Sequence, residues 1–422
     1  MSRSIGKLAA CPTLTGKLAA CPTLAFAPIA RVVTACALVV GLCGADWRQF
    51  RGNDSDGLAA GGGPKSLEKT VWSTPLSGRG ISGPIVVGDR VIVTSSSGHE
   101  QDRLHVLACA TSDGAILWDR QFWATGRTQC HPKMAVATPT PASDGNHIVA
   151  FYSSNDLACL DRDGNLLWFR GLTYDFPKAS NSLGMSSSPV IIDDTVVVQV
   201  ETDDDSFAMG LDVETGRSRW KLKRPPHATW TSPVVLRGTA GREDLVLLQS
   251  GKGLSAVRPK TGEAAWNYDE GASTTSSSVL GGQTVYVPSH GLTALSVDAA
   301  APQLPIRWRK TDISPGMPSP LYFDGRVYSI TGGPILVAAD AKTGSLAWRI
   351  RLKGTFYASP IAAAGKLYVF NDDGLGQIIS LGQKRGAISA ERDFKESILG
   401  TPALSDGALY IRGEKHVWKI AD

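Results

Sequence analysis

The sequence predicts an all-β protein, an eight-bladed β-propeller of four-stranded antiparallel blades closed into a ring by an N-terminal strand. The first observation is a repeat, in which a small residue, an anchor residue and a short apolar run recur eight times. The anchors are Pro84, Pro141, Pro189, Pro233, Ser278, Pro320, Pro360 and Pro402. They lie 40 to 57 residues apart, and a period of roughly 40–50 residues built from short strands is typical of a propeller blade.

The second observation is a tight turn after the first apolar run in seven of the eight units. The turns are Gly88-Asp89, Asp144-Gly145, Asp193-Asp194, Gly281-Gly282, Asp324-Gly325, Ala364-Gly365 and Asp406-Gly407. Such pairs tolerate the positive φ of the primed turns that join antiparallel strands. The runs around them are short and rich in β-branched residues, which favours buried strands. Each unit is therefore expected to begin with a hairpin.

The third observation is a second turn that is followed by a tryptophan. Its glycines are Gly114, Gly164, Gly216, Gly262 and Gly344, and four residues later stand Trp118, Trp168, Trp220, Trp266 and Trp348. Trp308 occupies the same place without the glycine, and Ala390 replaces the tryptophan in the seventh unit. We interpret the indoles as structural residues between blades, because each buries about 150–250 Å² and one ligand would not need a whole ring of them.

The eighth unit lacks a fourth strand after residues 417–420. Trp72 precedes Pro84 by 12 residues, which is also the spacing from Trp308 to Pro320. We therefore expect residues 70–76 to complete the eighth blade and so remove an exposed sheet edge. The propeller then spans residues 70–422, and residues 46–69 form an N-terminal extension or linker.

Residues 1–45 differ from the rest, because they contain four basic residues and no acidic one. An apolar stretch at 32–42 is followed by the small residues 43–45, a pattern that indicates a signal peptide and export to the periplasm or cell envelope. The stretch is too short for a transmembrane span. A lipid anchor at Cys43 or Cys36 is the alternative, although Leu42 is a poor residue to precede a lipidated cysteine.

The charge of the remaining chain argues against nucleic-acid binding, and its cysteine content limits the number of disulfides. Without the first 45 residues, basic and acidic residues are equal in number, at 39 each, which gives no electrostatic case for nucleic-acid binding. Three cysteines remain, Cys109, Cys130 and Cys159, and they allow one disulfide with one thiol left over. Because Cys109 and Cys159 fall in predicted third strands, buried free thiols are the favoured alternative.

The common catalytic and metal-binding motifs do not occur. There is no Gly-x-Ser-x-Gly and no His-Glu-x-x-His, and the seven histidines are scattered. Residues 161–165 resemble the start of a calcium loop, but their glycine is in frame with the hairpin glycines. We therefore predict neither a catalytic residue nor a metal site.

Two blade-to-blade connections are unusually long. The chain takes 23 residues from Trp118 to the next anchor and 21 from Trp168, where 12 or 13 suffice elsewhere. Both should emerge on one face, and loops on a rigid scaffold commonly carry function. Their candidate binding residues are Trp123, Arg127, Cys130, His131, Lys133, Tyr174, Phe176 and Lys178. The alternative is that the loops only fill the central channel.

The repeat resembles a known family once its motif is written out. Residues 212–220 and 340–348 both read Asp-x-x-Thr-Gly-x-x-x-Trp, which is similar to the pyrroloquinoline-quinone (PQQ) repeat of quinoprotein alcohol dehydrogenases and of BamB-like exported propellers. The segment Trp47–Gly52 resembles the Trp-x-x-Phe-Arg-Gly opening of exported bacterial PQQ-like propellers. It could serve as a plug or as a clasp.

The resemblance implies two functions. The dehydrogenases hold PQQ with calcium, use adjacent cysteines and need an aspartate base, whereas no two cysteines adjoin here. We expect instead an exported, non-catalytic scaffold that binds an envelope protein or complex, as the BamB resemblance implies. A PQQ-dependent alcohol or sugar dehydrogenase is the alternative. A third hypothesis is a polysaccharide-binding module that uses Trp123, Tyr174 and Phe176 as stacking platforms.

Overall fold

The computed structural model describes residues 46–180, 183–238, 242–297 and 304–422. The predicted signal peptide at residues 1–45 lies outside these ranges. The described chain forms eight four-stranded antiparallel sheets arranged as a propeller, so the predicted fold class is confirmed. Helix in these ranges is limited to α1 (Leu172–Asp175) and one 3-10 turn, Thr311–Ile313.

The strands follow the chain blade by blade, except for the first one, β1 (Thr70–Pro75), which belongs to the eighth blade. Blade 1 contains β2 (Ile85–Val87), β3 (Arg90–Ser97), β4 (Arg103–Ala110) and β5 (Ile116–Trp123). Blade 2 contains β6 (Ala142–Ser143), β7 (His147–Phe151), β8 (Asp156–Asp161) and β9 (Leu166–Gly171). Blade 3 contains β10 (Val190–Ile192), β11 (Thr195–Val200), β12 (Phe207–Asp212) and β13 (Ser218–Lys223). Blade 4 contains β14 (Val234–Leu236), β15 (Leu245–Ser250), β16 (Gly253–Val257) and β17 (Ala264–Tyr268).

The remaining blades repeat this order and end with the ring closure. Blade 5 contains β18 (Val279–Gly281), β19 (Thr284–Val287), β20 (Leu292–Ser296) and β21 (Ile306–Lys310). Blade 6 contains β22 (Leu321–Phe323), β23 (Arg326–Ile330), β24 (Ile335–Asp340) and β25 (Leu346–Arg351). Blade 7 contains β26 (Ile361–Ala363), β27 (Lys366–Phe370), β28 (Leu375–Ser380) and β29 (Ala387–Asp393). Blade 8 contains β30 (Ala403–Ser405), β31 (Ala408–Arg412) and β32 (His416–Ile420), and β1 pairs antiparallel with β32 as predicted.

The repeated tryptophans lie between neighbouring blades. The indole Nε1 of Trp220 donates to Pro259 O of the next blade at 2.7 Å, and the ring covers Gly262, where an added Cβ would lie 2.6 Å from it. The same ring-over-glycine contact joins Trp72 to Gly114, Trp118 to Gly164, Trp168 to Gly216, Trp308 to Gly344 and Trp348 to Gly386. A β-bulge next to each tryptophan, as between Ala338 and Ala339, redirects its side chain toward the neighbouring blade.

Residues 46–59 fill one end of the central channel. Trp47 and Val86 of blade 1 exchange two backbone hydrogen bonds of 2.9 Å. Further contacts reach the next six blades in turn: Arg48 O with Ser143 N, Gln49 Oε1 with Ile191 N, Ser55 Oγ with Val235 N, Arg51 Nη1 with Ser278 O, Arg51 Nη2 with Pro320 O, and Gly57 O with Ala362 N. Burial lowers the pKa of Arg51 to about 10. The segment is therefore a plug, and we use that name for residues 46–59.

The seam between blades 7 and 8 is the one where Ala390 replaces tryptophan. Here the chain that leads from the plug to β1 packs against blade 7. Leu67 is 1% exposed and belongs to the same apolar cluster as Phe370. Arg392 Nη1 donates to Leu67 O at 2.7 Å, and Tyr368 Oη donates to Pro64 O at 3.0 Å. The N-terminal extension thus supplies contacts at the position that lacks an indole.

Candidate functional site

A cavity of about 450 Å³ opens at the end of the channel opposite the plug. We call this end the mouth and the cavity the cup. Every blade contributes to the cup with residues that precede its innermost strand. Phe50 is the plug residue that lines the cavity, so the plug forms its floor.

Seven hydroxyl groups and one glycine encircle the lower wall of the cup. These residues, which we call the hydroxyl ring, are Gly83, Thr140, Ser188, Ser232, Ser277, Ser319, Ser359 and Thr401. The backbone N–H of each of the first seven donates to the side-chain oxygen of the next member, at 2.9–3.0 Å. At Gly83 an added Cβ would lie 2.4 Å from Thr401 O, so no side chain fits there. The ring therefore links all eight blades in succession.

The ring residues are the small residues that precede the repeat anchors. Six of the seven hydroxyl residues stand directly before a proline. Proline restricts the preceding residue to extended conformations, which fixes the backbone at each ring position. The sequence contains this signal, since seven of the eight units have Ser or Thr at this position, but small residues before a repeat anchor do not by themselves indicate a binding site.

The two long connections meet at the mouth, which agrees with the prediction that both emerge on one face. The backbone N–H of His131 donates to Leu183 O at 3.0 Å, and both residues line the cup. Lys133 reaches across the mouth to blade 7, where its Nζ lies 3.0 Å from Asp372 Oδ2 and 5.2 Å from the Tyr357 ring centroid. The hydrogen bond with Asp372 raises the pKa of Lys133. This first connection therefore forms a strap over part of the opening.

The other predicted binding residues lie outside the cup. Arg127 and Cys130 line a second, open cavity of about 590 Å³. Cys130 is a free cysteine, as are the buried Cys109 and Cys159, and burial raises the pKa of all three thiols. Trp123, the last residue of β5, is 61% exposed, and the Arg103 guanidinium lies 3.8 Å from its ring centroid. Tyr174 in α1 is 89% exposed.

Phe176 and Lys178 follow α1. Phe176 packs against Phe207 with a centroid distance of 4.7 Å, and Lys221 Nζ lies 3.6 Å from its centroid. Lys178 is exposed. The structure therefore brings His131 and Lys133 to the cup, whereas Trp123, Tyr174, Phe176 and Lys178 do not line it.

Several cup residues were missed from the sequence. Besides Phe50, the wall contains the aromatic residues Trp230 and Tyr357 and the thioether side chains Met134 and Met317. The Trp230 Nε1 donates to Gly184 O at 2.9 Å, which fixes its ring beside the second long connection. Trp230, Met317 and Tyr357 come from connections of ordinary length, so their spacing gave no signal, whereas Met134 belongs to the first long connection.

The cup allows a test of the calcium–PQQ pair that the resemblance implies. Its described lining consists of hydroxyl, aromatic, aliphatic and thioether side chains with two basic groups, and contains no carboxylate, carboxamide or thiol. Calcium in proteins is held chiefly by carboxylate and carbonyl oxygens. This set of side chains does not fit a calcium-bound quinone.

Two further observations concern the described residues as a whole. None of their helices is long and apolar enough to cross a membrane. No group of three or more His, Cys, Asp or Glu side chains in the described ranges is arranged to hold a metal ion.

Comparison with solved structures shows the same fold in proteins of different kinds. BamB from Moraxella catarrhalis is 16% identical with a TM-score of 0.61, and the match covers 84% of this chain and 97% of that one. A europium-containing methanol dehydrogenase is 13% identical with a TM-score of 0.70, covering 90% and 98%. The computationally designed Ika8 protein is 12% identical with a TM-score of 0.58, covering 83% and 100%. At such identities the likeness shows the fold alone.

Sequence comparison gives a narrower result. No curated protein matches the chain. A profile of the family described as "Outer membrane protein assembly factor BamB" matches residues 65–201, 125–320 and 306–389. These segments together cover most of the propeller, from the residues before β1 into blade 7. The chain therefore belongs to the family described as outer membrane protein assembly factor BamB.

Proposed function

We propose that this protein is an exported, non-catalytic scaffold that binds another protein of the cell envelope through its mouth face. The observation that supports this proposal is the surface made by the two long connections. Trp123 and Tyr174 are 61% and 89% exposed there, and Trp, Tyr and Arg are the residues that most often dominate binding energy at protein interfaces. The family membership and the solved BamB structure are consistent with an envelope partner.

The test is a pull-down from an envelope extract with wild-type protein and the double variant Trp123→Ala/Tyr174→Ala. We expect one envelope protein to be retained by the wild type and its recovery to fall at least about tenfold with the variant, since tenfold corresponds to the loss of one moderate contact. Ile116→Ala/Leu166→Ala is the matched control, because these residues are 47% and 50% exposed on the same two outer strands at the opposite end. Equal recovery with both double variants would contradict the proposal.

The alternative is a PQQ-dependent dehydrogenase of alcohols or sugars. The fold is compatible with it, as the methanol dehydrogenase shows. The absence of carboxylate and carboxamide side chains from the described cup lining argues for the scaffold instead. Dye-linked oxidation of alcohols or sugars above background, after addition of PQQ and calcium, would reverse this ranking.

A further inference from the structure

The hydroxyl ring has hydrogen-bond donors that the fold does not use. Each of its seven oxygens accepts one backbone N–H, whereas its own proton makes no hydrogen bond within the described part of the chain. A Ser or Thr hydroxyl can donate one bond and accept two. The lower wall of the cup therefore offers a circle of O–H donors, each with a remaining acceptor lone pair.

The rest of the cup is apolar and partly aromatic. Phe50 forms the floor, and Trp230, Tyr357 and Met317 belong to the wall. The face of an aromatic ring is electronegative and attracts weakly positive C–H groups. The cup thus combines an aromatic base with a polar circumference.

The charges at the rim do not favour an anion. The ammonium of Lys133 is paired with Asp372 at 3.0 Å. The other basic side chain, His131, accepts the backbone N–H of Lys133 at Nδ1 over 3.1 Å. A ligand that enters the cup therefore meets hydroxyls and rings without an unpaired ammonium.

We propose that the cup is a binding site for a small neutral saccharide. A pyranose ring has apolar C–H faces and a circumference of hydroxyls that both donate and accept, which matches the aromatic floor and the hydroxyl ring. The volume of about 450 Å³ lies within the roughly 300–1,000 Å³ usual for small-molecule sites. This site is separate from the outer residues Trp123, Tyr174 and Phe176, and it does not depend on the proposed protein partner.

The test measures binding of D-glucose, D-galactose, maltose, cellobiose and the anion D-glucuronate by saturation-transfer NMR and calorimetry. We expect saturable binding of at least one neutral sugar, and D-glucuronate to bind more weakly than D-glucose. Phe50→Leu should weaken the bound sugar by about tenfold or more, a difference that calorimetry resolves readily. Phe176→Leu is the matched control, because Phe176 is a half-buried phenylalanine outside the cup, and its effect should stay within about twofold.

A variant that blocks the cup without unfolding the protein separates loss of sugar binding at the cup from loss through misfolding. Met317 is 48% exposed at the cup wall, so Met317→Trp should fill the cavity, abolish sugar binding and leave the melting temperature unchanged. The proposal is overturned if none of the four neutral sugars binds to the wild type, or if a sugar binds Met317→Trp as well as the wild type. The pull-down with Trp123→Ala/Tyr174→Ala is read independently, so failure of one proposal does not decide the other.

Discussion

The glycine of the second turn serves two physical purposes at the scale of single residues in five of the repeats. Gly262 has a φ of +72°, which glycine adopts without the cost that a Cβ imposes. It also lies directly under the Trp220 ring of the preceding blade. The motif therefore reflects contacts between two neighbouring units, because the glycine of one blade receives the tryptophan of the blade before it.

A pair of glycine substitutions separates these two purposes. Gly365 has a similar φ of +75°, but nothing lies within 4 Å of an added Cβ. Gly365→Ala should lower the free energy of unfolding by about 1–2 kcal/mol from backbone strain alone. Gly262→Ala should cost about 1–3 kcal/mol more, because the methyl group displaces the indole. Denaturant unfolding measures both, and equal losses would show that the contact with Trp220 contributes nothing.

At the scale of elements, an ionisable cluster joins blades 2 and 3. His147, the first residue of β7, lies with Nδ1 2.7 Å from Asp144 Oδ2 and with Nε2 3.3 Å from Glu214 Oε2. Burial lowers the pKa of His147, but the hydrogen bond and charge of Asp144, together with Glu214, outweigh burial and leave the pKa above its usual value. Burial raises the pKa of Asp144, but hydrogen bonds from the backbone N–H and the side chain of His147 and from the backbone N–H of Asn146 outweigh burial and hold the pKa below its usual value.

This cluster predicts a pH-dependent contribution to stability. A histidine with a raised pKa in the folded state stabilises the fold fully below its unfolded pKa of about 6.5, and the contribution is lost as the pH rises through the folded pKa. We expect the stability difference between wild type and His147→Gln to be largest near about pH 5 and to shrink by about pH 9. Because the pKa of Asp144 is held below its usual value, this carboxylate stays ionised across the window. Urea unfolding at both pH values provides the measurement, and a difference that grew with pH would contradict the assignment.

At the scale of the whole molecule, the plug does more than close the channel. It makes polar contacts with seven blades in sequence order, and the extension that follows it reaches the eighth. In a ring of repeats, each blade contacts chiefly its two neighbours. The plug adds contacts to the blades from the centre of the ring. The plug should therefore contribute to the stability of the ring as one unit.

Matched tryptophan substitutions test this contribution. Trp47 of the plug is 3% exposed, and Trp123 is 61% exposed. Trp47→Ala should lower the free energy of unfolding by about 3–5 kcal/mol. Trp123→Ala should cost at most about 1 kcal/mol, from its contact with Arg103. Thermal and denaturant melts give both values. If Trp47→Ala were as stable as Trp123→Ala, the plug would not contribute to the stability of the ring.

The sequence predicted the architecture because local signals repeat. Turn glycines, β-branched runs and indoles at fixed spacing gave the number of blades and the closure by residues near Trp72, which β1 confirms. The cup was less accessible to prediction, because its wall takes one or two residues from each of eight distant units. Phe50 was visible in the sequence only as part of a motif, since nothing local indicates that it faces the channel.

Asp46, the first residue that the structure describes, attaches the plug to blade 1. Its Oδ1 accepts the backbone N–H of Gly88 in the first hairpin of that blade, and its Oδ2 pairs with Arg48 Nε at 2.7 Å. The plug is therefore anchored at the sealed side of the disc, and the cup stays open to molecules that approach from the opposite side.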